Sequence, residues 1–179
     1  MVGAKAESIE SSTRGGPSYG EHPTIGLCRS FLTEIARFRR IESLLDVGTG
    51  SGALAIHAAR LGAPQIVAID RDPSRASEAE ARIARAGVPQ PVEVRALPAA
   101  LVDGRFDVVV ANLWGDDLLA AASDLARLTA PGGDLFCSGI RLWQAPHLRR
   151  ALEASGLLVV GLRAAEGWGA LHVRRPAGQ

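Results

Sequence analysis

Cysteine, surplus charge and long apolar runs are all scarce in this sequence, and each shortage removes a class of protein. Two cysteines occur in 179 residues, Cys28 and Cys137, each inside an apolar segment. A structural zinc site takes about four clustered Cys or His ligands, a spacing absent here, so no metal is expected. The pair reads instead as reduced core thiols of a cytoplasmic protein. Twenty Lys and Arg nearly cancel nineteen Asp and Glu, leaving a formal charge of +1. Such a chain has no overall field to draw it onto long RNA or DNA, and nucleic acid is not expected as its partner. No span approaches the roughly eighteen apolar residues that suggest a membrane helix. The opening MVGAKAES is not followed by the hydrophobic region of a secretory signal.

What is present suits one α/β domain with a substantial core: 47 % of the residues are hydrophobic and 22 % charged. Residues 1–18 mix small, charged and turn-forming side chains without a period and read as a mobile N-terminal tail, leaving residues 19–179 for the domain. From Thr24 to Phe38 apolar residues recur at helical intervals, with Pro23 suited to the first turn. Strand and helix signals then alternate. ESLLDVG, QIVAID, PVEVRAL, GRFDVVVANL and DLFCSGI read as strands, with helices between them over ALAIHAARLGA, DPSRASEAEARIARAGV and GDDLLAAASDLARLTAPGG. A helix over RLWQAPHLRRALEASG and two strands around a turn, within LLVVGLRAAEGWGALHVRR, complete the chain. Apolar strands joined by crossover helices predict a mostly parallel sheet with helices on both faces and right-handed connections.

The sharpest motif is DVGTGSG, Asp46 to Gly52, which leaves a strand and opens a helix. Closely spaced glycines allow a tight turn and bring backbone against a ligand. The spacing is GxGxG, whereas the phosphate-binding form is GxGxxG, and Asp46 at the tip of the strand would repel a pyrophosphate while accepting from an ammonium. Twenty residues beyond Gly50 stands Asp70, at the end of the next strand, where an acid reaches both hydroxyls of a ribose. Gly48, Gly50, Asp46 and Asp70 thus point to S-adenosylmethionine, with S-adenosylhomocysteine as its product, in preference to a nicotinamide cofactor. Asn112 ends the fourth strand and is placed to accept from a nucleophilic amine, with Trp114 beside it either as a wall of the acceptor side or as core. Asn112 tying down its own loop is the competing reading. Methyl transfer from a sulfonium needs alignment more than acid–base chemistry, so the lack of a Ser/His/Asp set or a carboxylate pair does not oppose it.

GEHPTIGLC, DVGTGSGALAIHAARLGA, IDRDPSRA, FDVVVANL, APGGDLFCSGI and EGWGALHVRR together resemble the catalytic domain of the bacterial methyltransferases of large-subunit ribosomal protein eleven, from about residue 20 to 175. The resemblance implies a Rossmann-like, seven-stranded sheet with an antiparallel last strand and methylation of protein amino groups. It also implies cofactor contacts at Gly48, Asp70 and Asn112. His22, Pro23 and Thr24 would belong to a segment, SYGEHPT, that closes over the cofactor, with His22 shaping the catalytic site. Ile25 stands where the family pattern has a second, cofactor-binding threonine, for which Thr24 would compensate. Pro17-Ser18-Tyr19-Gly20 replaces a Phe-Gly-Thr-Gly approach, and Arg82 and Ala86 replace two asparagines. The family's separate recognition domain has no counterpart in the tail. The expected function is methyl transfer to a nucleophile, chosen as nitrogen, on a protein, peptide or small metabolite, with a partner protein able to supply recognition. The contrasting reading is a non-catalytic cofactor-binding regulator or scaffold, and a dehydrogenase ranks third.

Overall fold

The computed structural model describes residues 22–178. The expected tail, residues 1–18, and the SYGE half of the expected closing segment lie outside the described residues. The rest is one sheet with helices on both faces, in the order α1 (Pro23–Phe38), β1 (Ser43–Val47), α2 (Ala53–Arg60), β2 (Gln65–Asp70), α3 (Pro73–Ala86), β3 (Val92–Ala96), β4 (Phe106–Asn112), α4 (Gly115–Leu128), β5 (Thr129–Arg141), α5 (Ala145–Ala154), β6 (Leu158–Ala165) and β7 (Trp168–Arg174).

The spatial order is β3-β2-β1-β4-β5-β7-β6; β1 to β5 are parallel, as the strand and helix alternation predicts, and β7 is antiparallel to both of its neighbours, as the resemblance implies. The central strands are continuous apolar runs because both of their faces are covered. Leu45, Val47, Val109 and Ala111 pack under α4 and α5, while Leu44, Ala68, Val108 and Val110 pack under α1, α2 and α3. Cys28 and Cys137 are buried free thiols, and burial pushes both thiol pKa values up. None of the described helices is long and apolar enough to cross a membrane.

Two boundaries differ from the sequence reading. TAPGG, read as the end of a helix, begins β5: α4 stops at Leu128, and buried Thr129 turns its hydroxyl back to the Leu125 carbonyl at 2.7 Å as the chain leaves the helix. The helix expected from Arg141 begins at Ala145, after a short 3-10 turn over 142–144, because Pro146 fits only a first turn.

The strand order reverses between β1 and β4, and the register keeps their carboxyl ends level: Val47 pairs with Ile69 on one side and Ala111 on the other. That reversal opens a crevice at the carboxyl edge of the sheet. The opposite edge is closed by charge. Arg39, at the end of α1, reaches Asp107 at 2.6 Å and Asp134 at 2.8 Å, and His172 of β7 engages the other oxygen of Asp134 at 2.7 Å. The side chain of Asp134 is only 2 % exposed. Burial alone would raise its pKa, but the bonds to His172 and Arg39 outweigh it and hold the carboxyl below its usual value. The folded pKa being the lower one, this stabilisation is complete above the unfolded value of about 3.9 and is lost as pH falls through the folded value. Arg39→Ala is expected to cost about 1.5–3 kcal/mol in urea unfolding at pH 7. Asp134→Asn is expected to flatten the loss of stability below about pH 4, and an unaltered acid limb would contradict the assignment.

Candidate cofactor and acceptor site

After β1 the chain turns through Gly48, Thr49 and Gly50 into α2. The amides of Gly48 and Thr49 both donate to the Ile69 carbonyl, each at 2.9 Å, and the Gly50 amide donates to Asp70 Oδ2 at 3.1 Å. The loop is therefore stitched to the end of β2 by its own amides. A pyrophosphate cradle needs such amides turned outward to the ligand, so the geometry disfavours a dinucleotide. Gly48 has φ +72°, and a Cβ there would run into the Leu113 side chain.

Asp46, 1 % exposed, lies just before the turn. Its Oδ2 accepts from the Thr49 hydroxyl at 2.7 Å and from the Ala55 amide at 3.2 Å, capping the first turn of α2 where Gly52 offers no side chain. Its Oδ1 has no hydrogen-bond partner among the described residues. Burial pushes the Asp46 carboxyl up to about 6, against the lowering effect of Thr49 and Ala55 and with a smaller contribution from the Asp70 charge. An orphaned carboxylate oxygen at that depth suits a cationic or N–H donor.

The carboxyl ends of β1, β2 and β4 open into a cavity of about 470 Å³. Gly48, Asp70 and Asn112 all line it, as expected from the sequence. Asp70 is 6 % exposed, and its second oxygen accepts from the Asp72 amide at 3.0 Å. A carboxylate has about four acceptor positions, so each oxygen keeps one for a diol. Beyond it Leu97, Pro98 and Ala99 form an apolar wall suited to a flat base, which the sequence reading passed over as the end of a strand. The signal available was an apolar Leu-Pro step at a strand's carboxyl end. Across the mouth Arg71 and Asp117 join in a two-pronged ion pair at 3.0 and 3.3 Å.

Asn112 keeps its side chain unspent: no other described residue hydrogen-bonds it. The main chain holds its loop instead. Leu113 N–H donates to the Ser138 carbonyl at 3.2 Å, and Gly139, at φ +96°, leaves room where a Cβ would strike the Leu113 carbonyl.

His22, Thr24, Asp46 and Gly50, all expected at the site, are not among the described residues lining the cavity; Asp46 lies buried beneath the turn and Gly50 spends its amide on Asp70. His22 caps α1, its Nδ1 lying 2.8 Å from the Thr24 hydroxyl and 3.4 Å from the Thr24 amide. The His22 ring meets Trp168 edge-on at 4.9 Å, Trp168 meets Trp114 at 5.9 Å, and the Arg141 guanidinium lies 3.8 Å over Trp168. Trp114, 69 % exposed, is a wall of the mouth and not core, and Trp143 is 73 % exposed. Trp168 gathers neighbours from the cap of α1, the cap of α4 and the end of β5. Ile25 packs against the core below α1.

Seven strands in this order with β7 reversed, a glycine turn after β1 and an acid ending β2 define the class I S-adenosylmethionine-dependent methyltransferase fold. The family model "Ribosomal protein L11 methyltransferase (PrmA)" matches residues 18–176, and the chain belongs to that family. It is 43 % identical over 155 residues to the ribosomal protein L11 methyltransferase of Geobacter sulfurreducens, covering 87 % of this chain and 50 % of that protein. The Pelotomaculum thermopropionicum relative of the same name is 42 % identical over 159 residues, covering 88 % of this chain and 51 % of that one. The solved ribosomal protein L11 methylase from Lactobacillus delbrueckii subsp. bulgaricus superposes with a TM-score of 0.79 at 30 % identity, over 87 % of this chain and 80 % of that one. The chain spans about half the length of the curated relatives it matches.

The Asp46 environment is testable without a ligand. In a carbon-13 NMR titration its carboxyl is expected to titrate near 6, and Thr49→Val, which removes one donor, is expected to move it higher. A midpoint unchanged by the substitution would contradict the role of Thr49.

Proposed function

We propose that residues 19–179 form a transfer domain that holds S-adenosylmethionine in the sheet-edge cavity and directs its methyl group to an amine nitrogen. The single observation that carries this reading is the cavity that joins Gly48, Asp70 and the unspent Asn112 at the ends of three neighbouring strands. Asp70 would hold the two ribose hydroxyls, the Leu97–Ala99 wall the base, and the glycine turn with Asp46 beneath it the amino-acid end. When bound, the cofactor supplies a methyl group on a sulfonium, already an activated leaving group.

The protein's task is alignment. A neutral amine donating to the Asn112 side-chain oxygen would be held with its lone pair turned toward the cavity, and its surplus proton would pass to solvent at the exposed mouth. Trp114 and Trp168 would wall the approach. His22 would act by fixing Trp168, and Thr24 would enter the cofactor site only by orienting His22, since its hydroxyl already faces that ring. The acceptor we propose is an amino group on a protein, the ribosomal protein named in the family being the first to test. A partner protein would supply recognition beyond this domain.

Ile25 and the engaged hydroxyl of Thr24 favour the alternative, a cofactor-binding regulator without transfer. Incubation of the chain with labelled cofactor and a ribosomal-protein extract separates the two: a labelled protein band is expected, and cofactor binding with no labelled acceptor would favour the regulator. Asp70→Ala is expected to weaken S-adenosylhomocysteine binding by about 1.5–3 kcal/mol in calorimetry. Unchanged affinity would remove its ribose role. Asn112→Ala is expected to slow transfer by about 10²-fold with an unaltered melting temperature, and full turnover by the folded variant would exclude it from the mechanism.

A further inference from the structure

A second concavity of about 460 Å³ lies between α1, α2 and α3 and shares no described lining residue with the cofactor cavity. Arg29, His57, Arg60, Arg82 and Arg85 line it, and no carboxylate is among its described lining residues. In a chain whose formal charge is +1, four guanidinium groups in one hollow are a concentration that the average conceals.

Helix electrostatics explain part of it. Arg60 and Arg85 stand in the last turns of α2 and α3, where the helix dipole favours a cation. Arg29, in the second turn of α1, and Arg82, short of the last turn of α3, have no such reason to be there. Arg39, Arg71, Arg95, Arg149 and Arg163 each pair with a carboxylate. Arg60, Arg82 and Arg85 make no ion pair with any described residue. The His57 ring is set by the Thr33 hydroxyl at 2.9 Å from Nε2. Arg82 and Ala86, the two α3 positions at which this chain departs from the pattern it resembles, both line the hollow, one adding charge and the other leaving room.

We infer that this hollow is an anion site for a compact oligophosphate, a ligand carrying two or three linked phosphate groups, separate from the methyl-transfer cleft. Guanidinium forks match phosphate oxygens in pairs, and several forks around one hollow suit neighbouring phosphates on a short chain. The volume falls within the range of about 300–1,000 Å³ typical of small-ligand sites. A polymer fits less well, because the arginines converge on one concavity instead of forming a stripe and the near-neutral chain has no field to gather a polyanion.

Calorimetry of the full chain with inorganic triphosphate at fixed salt tests this, with and without saturating S-adenosylhomocysteine. One saturable equivalent is expected, indifferent to S-adenosylhomocysteine and weakened about tenfold or more in Arg82→Gln/Arg85→Gln, with the variant's melting temperature unchanged. Arg60→Gln is expected to weaken binding independently, so that the assignment does not rest on one helix. The absence of saturable binding would overturn it, as would affinity unaltered by all three substitutions. Competition by S-adenosylhomocysteine would move the anion to the other cavity. Single-stranded RNA that displaces triphosphate with an affinity growing with its length would overturn the compact ligand.

Discussion

Everything at the carboxyl edge of the sheet depends on how the turn after β1 is tied to the end of β2. The Ile69 carbonyl takes the amides of Gly48 and Thr49, and Asp70 takes that of Gly50. This settles the character of the cleft. The amides that would cradle a phosphate are used to hold two strands together, and the polar groups presented in their place are carboxylates. A site so built attracts hydroxyls and cations. The same tie brings Asp70 against the turn, above the buried Asp46, whose Oδ1 has no hydrogen-bond partner among the described residues.

The two edges of the sheet divide the labour. At the amino edge, Arg39, Asp107, Asp134 and His172 bind α1 to β4, β5 and β7 with short, largely shielded charge-assisted bonds. At the carboxyl edge the corresponding groups are left with acceptor capacity. Gly48 and Gly139 both make room for Leu113, one for its side chain and the other for its backbone, and so position Asn112 without drawing on the Asn112 side chain. Positioning by backbone is what allows that side chain to remain available.

Much of this was legible in the residues. The parallel, helix-covered character of the first half follows from apolar runs spaced by helices, and QIVAID matches β2 residue for residue. Gly48, Asp70 and Asn112, which line the cavity, stand in a local pattern, a strand end followed by a turn; Asp46 and Gly50 share that pattern but lie outside the lining. The Leu97–Ala99 wall does not declare itself, since nothing in its own neighbourhood in sequence distinguishes it; the sheet order alone brings it to the cleft, and brings Trp168 against Trp114 at its mouth. The start of β5 was misread because Thr129, Pro131 and two glycines look like the end of a helix, and only the buried turn at Thr129 shows where the strand takes over. The arginine hollow was hidden for a different reason. A composition near neutrality says nothing about how three helices distribute their cations.

A crystal structure of the chain with S-adenosylhomocysteine tests the central claim most directly. The account predicts the two ribose hydroxyls on the carboxylate of Asp70, the base against Leu97, Pro98 and Ala99, and the amino-acid end over the glycine turn. A nucleoside bound elsewhere, or one in this cleft whose sugar makes no contact with Asp70, would contradict it.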